Sequence, residues 1–74
     1  MKITNVNHIT GGDAVDYIRQ GKRLYFPDGF GMNALVYDDV THMFYFVNFE
    51  GQLIGTNWNE AHIANRLWER EHEA

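Results

Sequence analysis

His42-Met43-Phe44-Tyr45-Phe46-Val47-Asn48-Phe49 decides the fold. Six of its eight residues are apolar or aromatic, and it holds neither Gly nor Pro. Aromatic and β-branched side chains suit a pleated, half-buried surface, so this stretch reads as the central strand of a sheet. Strand side chains alternate, which sends His42, Phe44, Phe46 and Asn48 to one face and Met43, Tyr45, Val47 and Phe49 to the other. Both faces carry apolar groups, and a short chain has little material with which to cover both.

Outward from this strand, the chain punctuates itself with turn residues. Asp38-Asp39-Val40-Thr41 leads back to a strand at Asn33–Tyr37, and Phe30-Gly31-Met32 continues a Gly-rich loop begun by Pro27-Asp28-Gly29. Before that loop stands the strand Arg23–Phe26. On the other side, Glu50-Gly51 turns into a short strand, Gln52–Ile54. Short connections imply antiparallel neighbours, so residues 23–54 read as a meander of three to four strands. Ile3 to Ile9 alternates weakly and reads as an edge strand or an ordered arm.

Two helices flank the meander. Thr10-Gly11-Gly12-Asp13 reads as a helix start, with Thr10 and Asp13 at capping-box-like spacing and Asp13 and Asp16 near the positive end of the dipole. The helix runs over 13–20, with Ala14, Val15 and Ile18 on one face, and stops at Gly21. Asn57 with Glu60, or Thr56 with Asn59, opens a second helix over 57–70, whose apolar arc is Trp58, Ala61, Ile63, Ala64, Leu67 and Trp68. The charged end Glu69–Ala74 reads as a fraying tail. The whole, residues 1–74, reads as a single two-layer α+β domain with both helices on one face of the sheet.

With Leu24, Phe26, Ala34, Val36, Phe44 and Phe46 under the helices, Tyr25, Leu35, Tyr37, Met43, Tyr45 and Val47 line the other face. A one-residue slip would exchange these sets. Tyrosine joins apolar area to a wet hydroxyl and suits an interface, so this second set is the expected partner-binding surface. A domain of this size has a small core, and there is no Cys to staple it, so self-association is favoured, with a homodimer as the simplest form.

Composition excludes several classes. Ten acidic and six basic residues give a net charge of −4, against the basic field a general nucleic-acid binder needs. No apolar run approaches the ~20 residues of a membrane span, and Met1–Asn7 lacks the apolar core of a signal peptide, so a cytoplasmic protein is expected. Ser and Cys are both absent, which removes the commonest nucleophiles. Asp38-Asp39 beside His42 resembles acid–base equipment, but tight turns favour Asp for local hydrogen bonds. Thr10-Gly11-Gly12 before a helix could cradle a phosphate, but Asp13 would repel it. His8, His42, His62 and His72 show no His-x-x-x-His pair, and His62 and His72 would stand about 15 Å apart on one helix. No metal, cofactor or catalytic residue is therefore expected, and the chain reads as a non-enzymatic binding module. The alternative is a small-ligand or nucleotide binder using the loop Phe30-Gly31-Met32 with a Trp of the last helix.

Ala14-Val15-Asp16-Tyr17-Ile18-Arg19-Gln20-Gly21-Lys22-Arg23 is an amphipathic helix stopped by Gly-Lys-Arg before a strand. It resembles the opening of several small phage-encoded α+β proteins, some of which counter bacterial immunity by binding a protein or a signalling nucleotide. The likeness is one of pattern, over these residues alone, and implies a small regulator or inhibitor.

Overall fold

The aromatic stretch folds as a strand, β4 (Met43–Val47), one place from the edge of a six-stranded antiparallel sheet. A computed structural model describes residues 7–27 and 30–71 of the chain. Its elements run β1 (His8–Ile9), α1 (Gly11–Arg19), β2 (Leu24–Tyr25), β3 (Ala34–Asp38), β4, β5 (Leu53–Gly55), α2 (Glu60–Ala64) and β6 (Trp68–Arg70). In space the strands lie in the order β1-β6-β2-β3-β4-β5. The expected meander is therefore present as β2 to β5. Of the expected first strand, Ile9 lies in β1, while Ile3 and Val6 lie outside the described residues, as do Asp28 and Gly29 of the first loop.

Two expectations are corrected. The helix expected over 57–70 is only α2, and its second half is a strand. Asn59, rather than Asn57 or Thr56, caps α2. Its side chain accepts from the Ala61 and His62 N–H groups at 2.9 and 3.3 Å, and the Asn59 N–H donates to His62 Nδ1 at 3.0 Å. After Arg66 the chain extends and slots between β1 and β2, with Glu69 opposite both His8 and Tyr25. Backbone groups in a sheet must be paired, and β6 supplies partners for two short strands that would otherwise have none on that side. Glu69 and Arg70, expected in a fraying tail, thus lie inside the sheet. The sheet accordingly has six strands where three to four were expected.

The second correction concerns β3. Leu24, Leu35, Phe46 and Ile54 are successive cross-strand partners, as are Tyr37 and Phe44. Cross-strand partners share a face. Leu24, Phe26, Phe44 and Phe46 take the helix-covered side as expected, but Leu35 and Tyr37 join them, displacing Ala34 and Val36. Leu35 is thereby fully buried in the core, which is worth roughly 1.5–3 kcal/mol relative to an exposed leucine.

The core lies between this face and the helices. Ala14 and Ile18 of α1 and Ile63 of α2 pack with Leu24, Phe26, Leu35, Phe44 and Trp68. Trp68 is the largest fully buried side chain, and its indole N–H donates to the Ile63 carbonyl at 2.8 Å. Thr10 stands at the N-cap of α1, but its hydroxyl turns away from the helix and donates to the Arg66 carbonyl at 2.8 Å, tying the start of α1 to the link between α2 and β6. Arg19 and Glu60 form an ion pair between the two helices.

Candidate functional site

The helix-free face of the sheet is built by alternation. One row crosses all six strands: His8, Glu69, Tyr25, Ala34, Val47 and Leu53. A second row places Val36, Tyr45 and Gly55 side by side, and a third pairs Asp38 with Met43. Of the six residues expected on this face, Tyr25, Met43, Tyr45 and Val47 are there. Leu35 and Tyr37 are not. Leu35 is in the core, and Tyr37 lies under the Arg19 guanidinium, 5.0 Å from its ring centre, with its hydroxyl 3.1 Å from His42 Nδ1. Ala34 and Val36, expected under the helices, lie here instead, and Leu53, given no face beforehand, joins them.

The face divides into two halves. Toward β5 it is apolar: Met43 and Leu53 are exposed, Val36 and Tyr45 half-buried, and Ala34 and Val47 buried. The Tyr45 hydroxyl lies 3.3 Å from Thr41 Oγ1, leaving its ring available. Toward β1 the face is acidic. Glu69, half-exposed, pairs with His8 Nε2 at 3.3 Å, and Glu71 accepts from the Arg23 N–H at 2.7 Å. Tyr25, Phe26, Asn33, Glu69 and Glu71 line an open hollow of about 470 Å³ there.

The second expected site, Phe30-Gly31-Met32, is drawn into an aromatic cluster on the other side. Phe30 stacks on Phe26 at 4.5 Å and meets Trp58 edge-on at 5.6 Å, while Met32 packs against the core. Gly31 takes a φ of 107°, which lets the loop fold back. The guanidinium of Arg66 sits 5.0–5.7 Å from the centres of Phe30, Phe26, Trp58 and Trp68. Cation–π attraction of this kind holds a charge among rings. Trp58 in turn stacks on His62 at 5.6 Å. Sequence reasoning passed over Arg66, because nothing local marks a cation whose rings come from three separate segments.

Of the paired aspartates, Asp38 is accounted for by the chemistry of its turn. Asp38 Oδ1 accepts from the Val40 N–H at 2.8 Å, and the His42 N–H closes the turn on the Asp38 carbonyl at 2.8 Å. His42, expected at the head of the strand, is a turn residue with φ 61°. Among the described residues no group of three His, Asp or Glu side chains could hold a metal ion. No helix among them is long and apolar enough to cross a membrane. Comparison with protein-family models, with curated proteins and with solved structures returns no match.

Proposed function

We propose that this chain is a non-enzymatic protein-binding module, a small regulator or inhibitor that acts by covering a partner's surface with the open face of its sheet. The observation that carries this reading is the gathering of Val36, Met43, Tyr45 and Leu53, with Met43 and Leu53 exposed, on a sheet face that carries no helix among the described residues. Contiguous exposed apolar surface marks interaction sites, and tyrosine is enriched in them. The acidic half, Glu69 and Glu71, suits a partner with an apolar centre and a basic rim, since complementary charge sets orientation and encounter rate. The likeness of Ala14–Arg23 to the opening of small phage-encoded proteins fits the same reading.

The test is capture by the immobilised chain from a host lysate, read by mass spectrometry, with Tyr45→Asp and Met43→Asp beside wild type. Asp16→Asn on α1 serves as the control. We expect the two face variants to lose proteins that wild type and Asp16→Asn both retain. Identical captured sets from all four chains would remove the open face from the argument.

A second reading, a small-ligand binder, is favoured by one observation. The Trp58–His62 stack and Arg66 border a shallow hollow of about 350 Å³, and planar bases stack on such surfaces. Tryptophan fluorescence and thermal shift against a nucleotide panel test it. No ligand raising Tm would leave the first reading alone.

A further inference from the structure

Among the described residues the sheet ends at β5, and the geometry of the β4–β5 hairpin shows which backbone groups it leaves facing outward. Asn48 Oδ1 accepts from the Glu50 and Gln52 N–H groups, both at 2.9 Å, and Gly51 N–H donates to the Asn48 carbonyl at 3.1 Å. The Asn48 N–H donates to the Gln52 carbonyl at 3.0 Å. Bonded and non-bonded pairs alternate along an antiparallel ladder. Phe46 and Ile54 are thus the next bonded pair, while Val47–Leu53 and Tyr45–Gly55 are non-bonded pairs. The N–H and C=O groups of Leu53 and Gly55 therefore point away from β4, toward the free edge.

Exposed edges invite pairing, and proteins guard them with charges, proline or a covering segment. This edge has no charged or proline guard. Gly51 to Asn59 contains no Asp, Glu, Lys, Arg, His or Pro, in a chain with ten acidic and six basic residues. Leu53 is 60% exposed and Ile54 37%.

We propose that β5 pairs antiparallel with β5 of a second copy of this chain, across a two-fold axis at Ile54. A second copy fits because the edge is complementary to itself. In this register Leu53 bonds to the partner subunit's Gly55 and Gly55 to the partner subunit's Leu53, giving four N–H···O=C bonds. Leu53 then lies beside a glycine, and a Cβ built at Gly55 meets nothing within 4 Å, so there is room for it. The two Ile54 side chains meet at the axis as a non-bonded pair, the closer cross-strand spacing, ~4.5 Å between Cα atoms. The chain carries a net charge of −4, yet this segment sets no like charges against each other. The axis runs through the plane of the sheet, so both open faces come to lie on the same side and join into one surface. Self-association thereby belongs to the edge, and the open face stays available. The pairing does not depend on the partner-binding reading above.

Sedimentation equilibrium of the full chain over a roughly hundredfold concentration range tests it. Wild type should move from 8.6 kDa toward twice that mass. Leu53→Lys and Gly55→Pro should stay at the monomer mass with unchanged far-UV CD, because the Gly55 N–H faces outward and edge strands tolerate proline there. Tyr45→Asp should associate like wild type, which separates this interface from the open face. Hydrogen exchange of wild type gives a readout free of variants: the Leu53 and Gly55 amides should gain roughly tenfold protection or more from dilute to concentrated protein. A wild type that remains at 8.6 kDa throughout overturns the proposal. So does association without concentration-dependent protection of those two amides.

Discussion

Replacing Trp68 by Phe, beside Leu67→Ala, probes the one segment whose structure departs most from its local pattern. On a helix over 57–70 both residues share the apolar arc. In the sheet they part: Trp68 is 0% exposed and Leu67 46%. Truncation to Ala is too severe for a clean measurement. A buried Trp of ~150–250 Å² at ~25 cal/mol per Å² is worth roughly 4–6 kcal/mol. A whole domain of 74 residues at ~0.05–0.15 kcal/mol each has only about 4–11 kcal/mol. Phe keeps most of the apolar area but removes the indole N–H now donating at 2.8 Å, leaving the Ile63 carbonyl only the longer bond from the Arg66 N–H at 3.4 Å. Losing the shorter of the two bonds, together with the space a smaller ring leaves in a fully buried site, costs about 1–3 kcal/mol. At ~4–8 °C per kcal/mol for a domain of this size, Trp68→Phe should lower Tm by roughly 5–20 °C. Leu67→Ala should cost less than about 1 kcal/mol, as surface changes do. Thermal and urea unfolding by CD give both numbers. If Leu67→Ala proved as costly as Trp68→Phe, Trp68–Arg70 would not form the strand described here.

Two further predictions concern stability. Arg66→Met keeps the aliphatic stem but removes the cation ringed by Phe26, Phe30, Trp58 and Trp68, and should cost about 1–2 kcal/mol in a urea titration; a variant as stable as wild type would show that the rings hold together without the charge. Gly51→Ala should cost about 1–2 kcal/mol through backbone strain alone, because φ is +87° and the added methyl meets nothing within 4 Å. Its urea midpoint should fall with an unchanged slope, and Gly51→Asn, which tolerates this conformation better, should lose less.

The meander and α1 were legible because their determinants are local. Alternation marks β3 and β4, Asp38 and Asn48 build their turns from their own side chains, and Gly21 stops α1 with a φ of 91°. Of the expected open face, Tyr25, Met43, Tyr45 and Val47 were read correctly and Leu35 and Tyr37 were not. Alternation shows that Leu35 and Tyr37 share a face. It does not show which face, and that depends on Leu24, Phe44 and Phe46 standing opposite them in neighbouring strands.

By itself, then, the sequence determined the local units: a short amphipathic helix, an antiparallel run of strands with self-made turns, and a central strand with apolar groups on both faces. Tertiary structure alone decided β6, the burial of Trp68 and the site of Arg66. Ile63, Ala64, Leu67 and Trp68 satisfy a helical arc, and no neighbour in sequence contradicts it. What overrides the arc is the need of His8–Ile9 and Leu24–Tyr25 for backbone partners, which the chain meets only with residues at its far end. A hydrogen bond such as that from the Arg70 N–H to the Asn7 carbonyl, at 2.7 Å, joins residues far apart in the chain, so its energy leaves no trace in the pattern on either side.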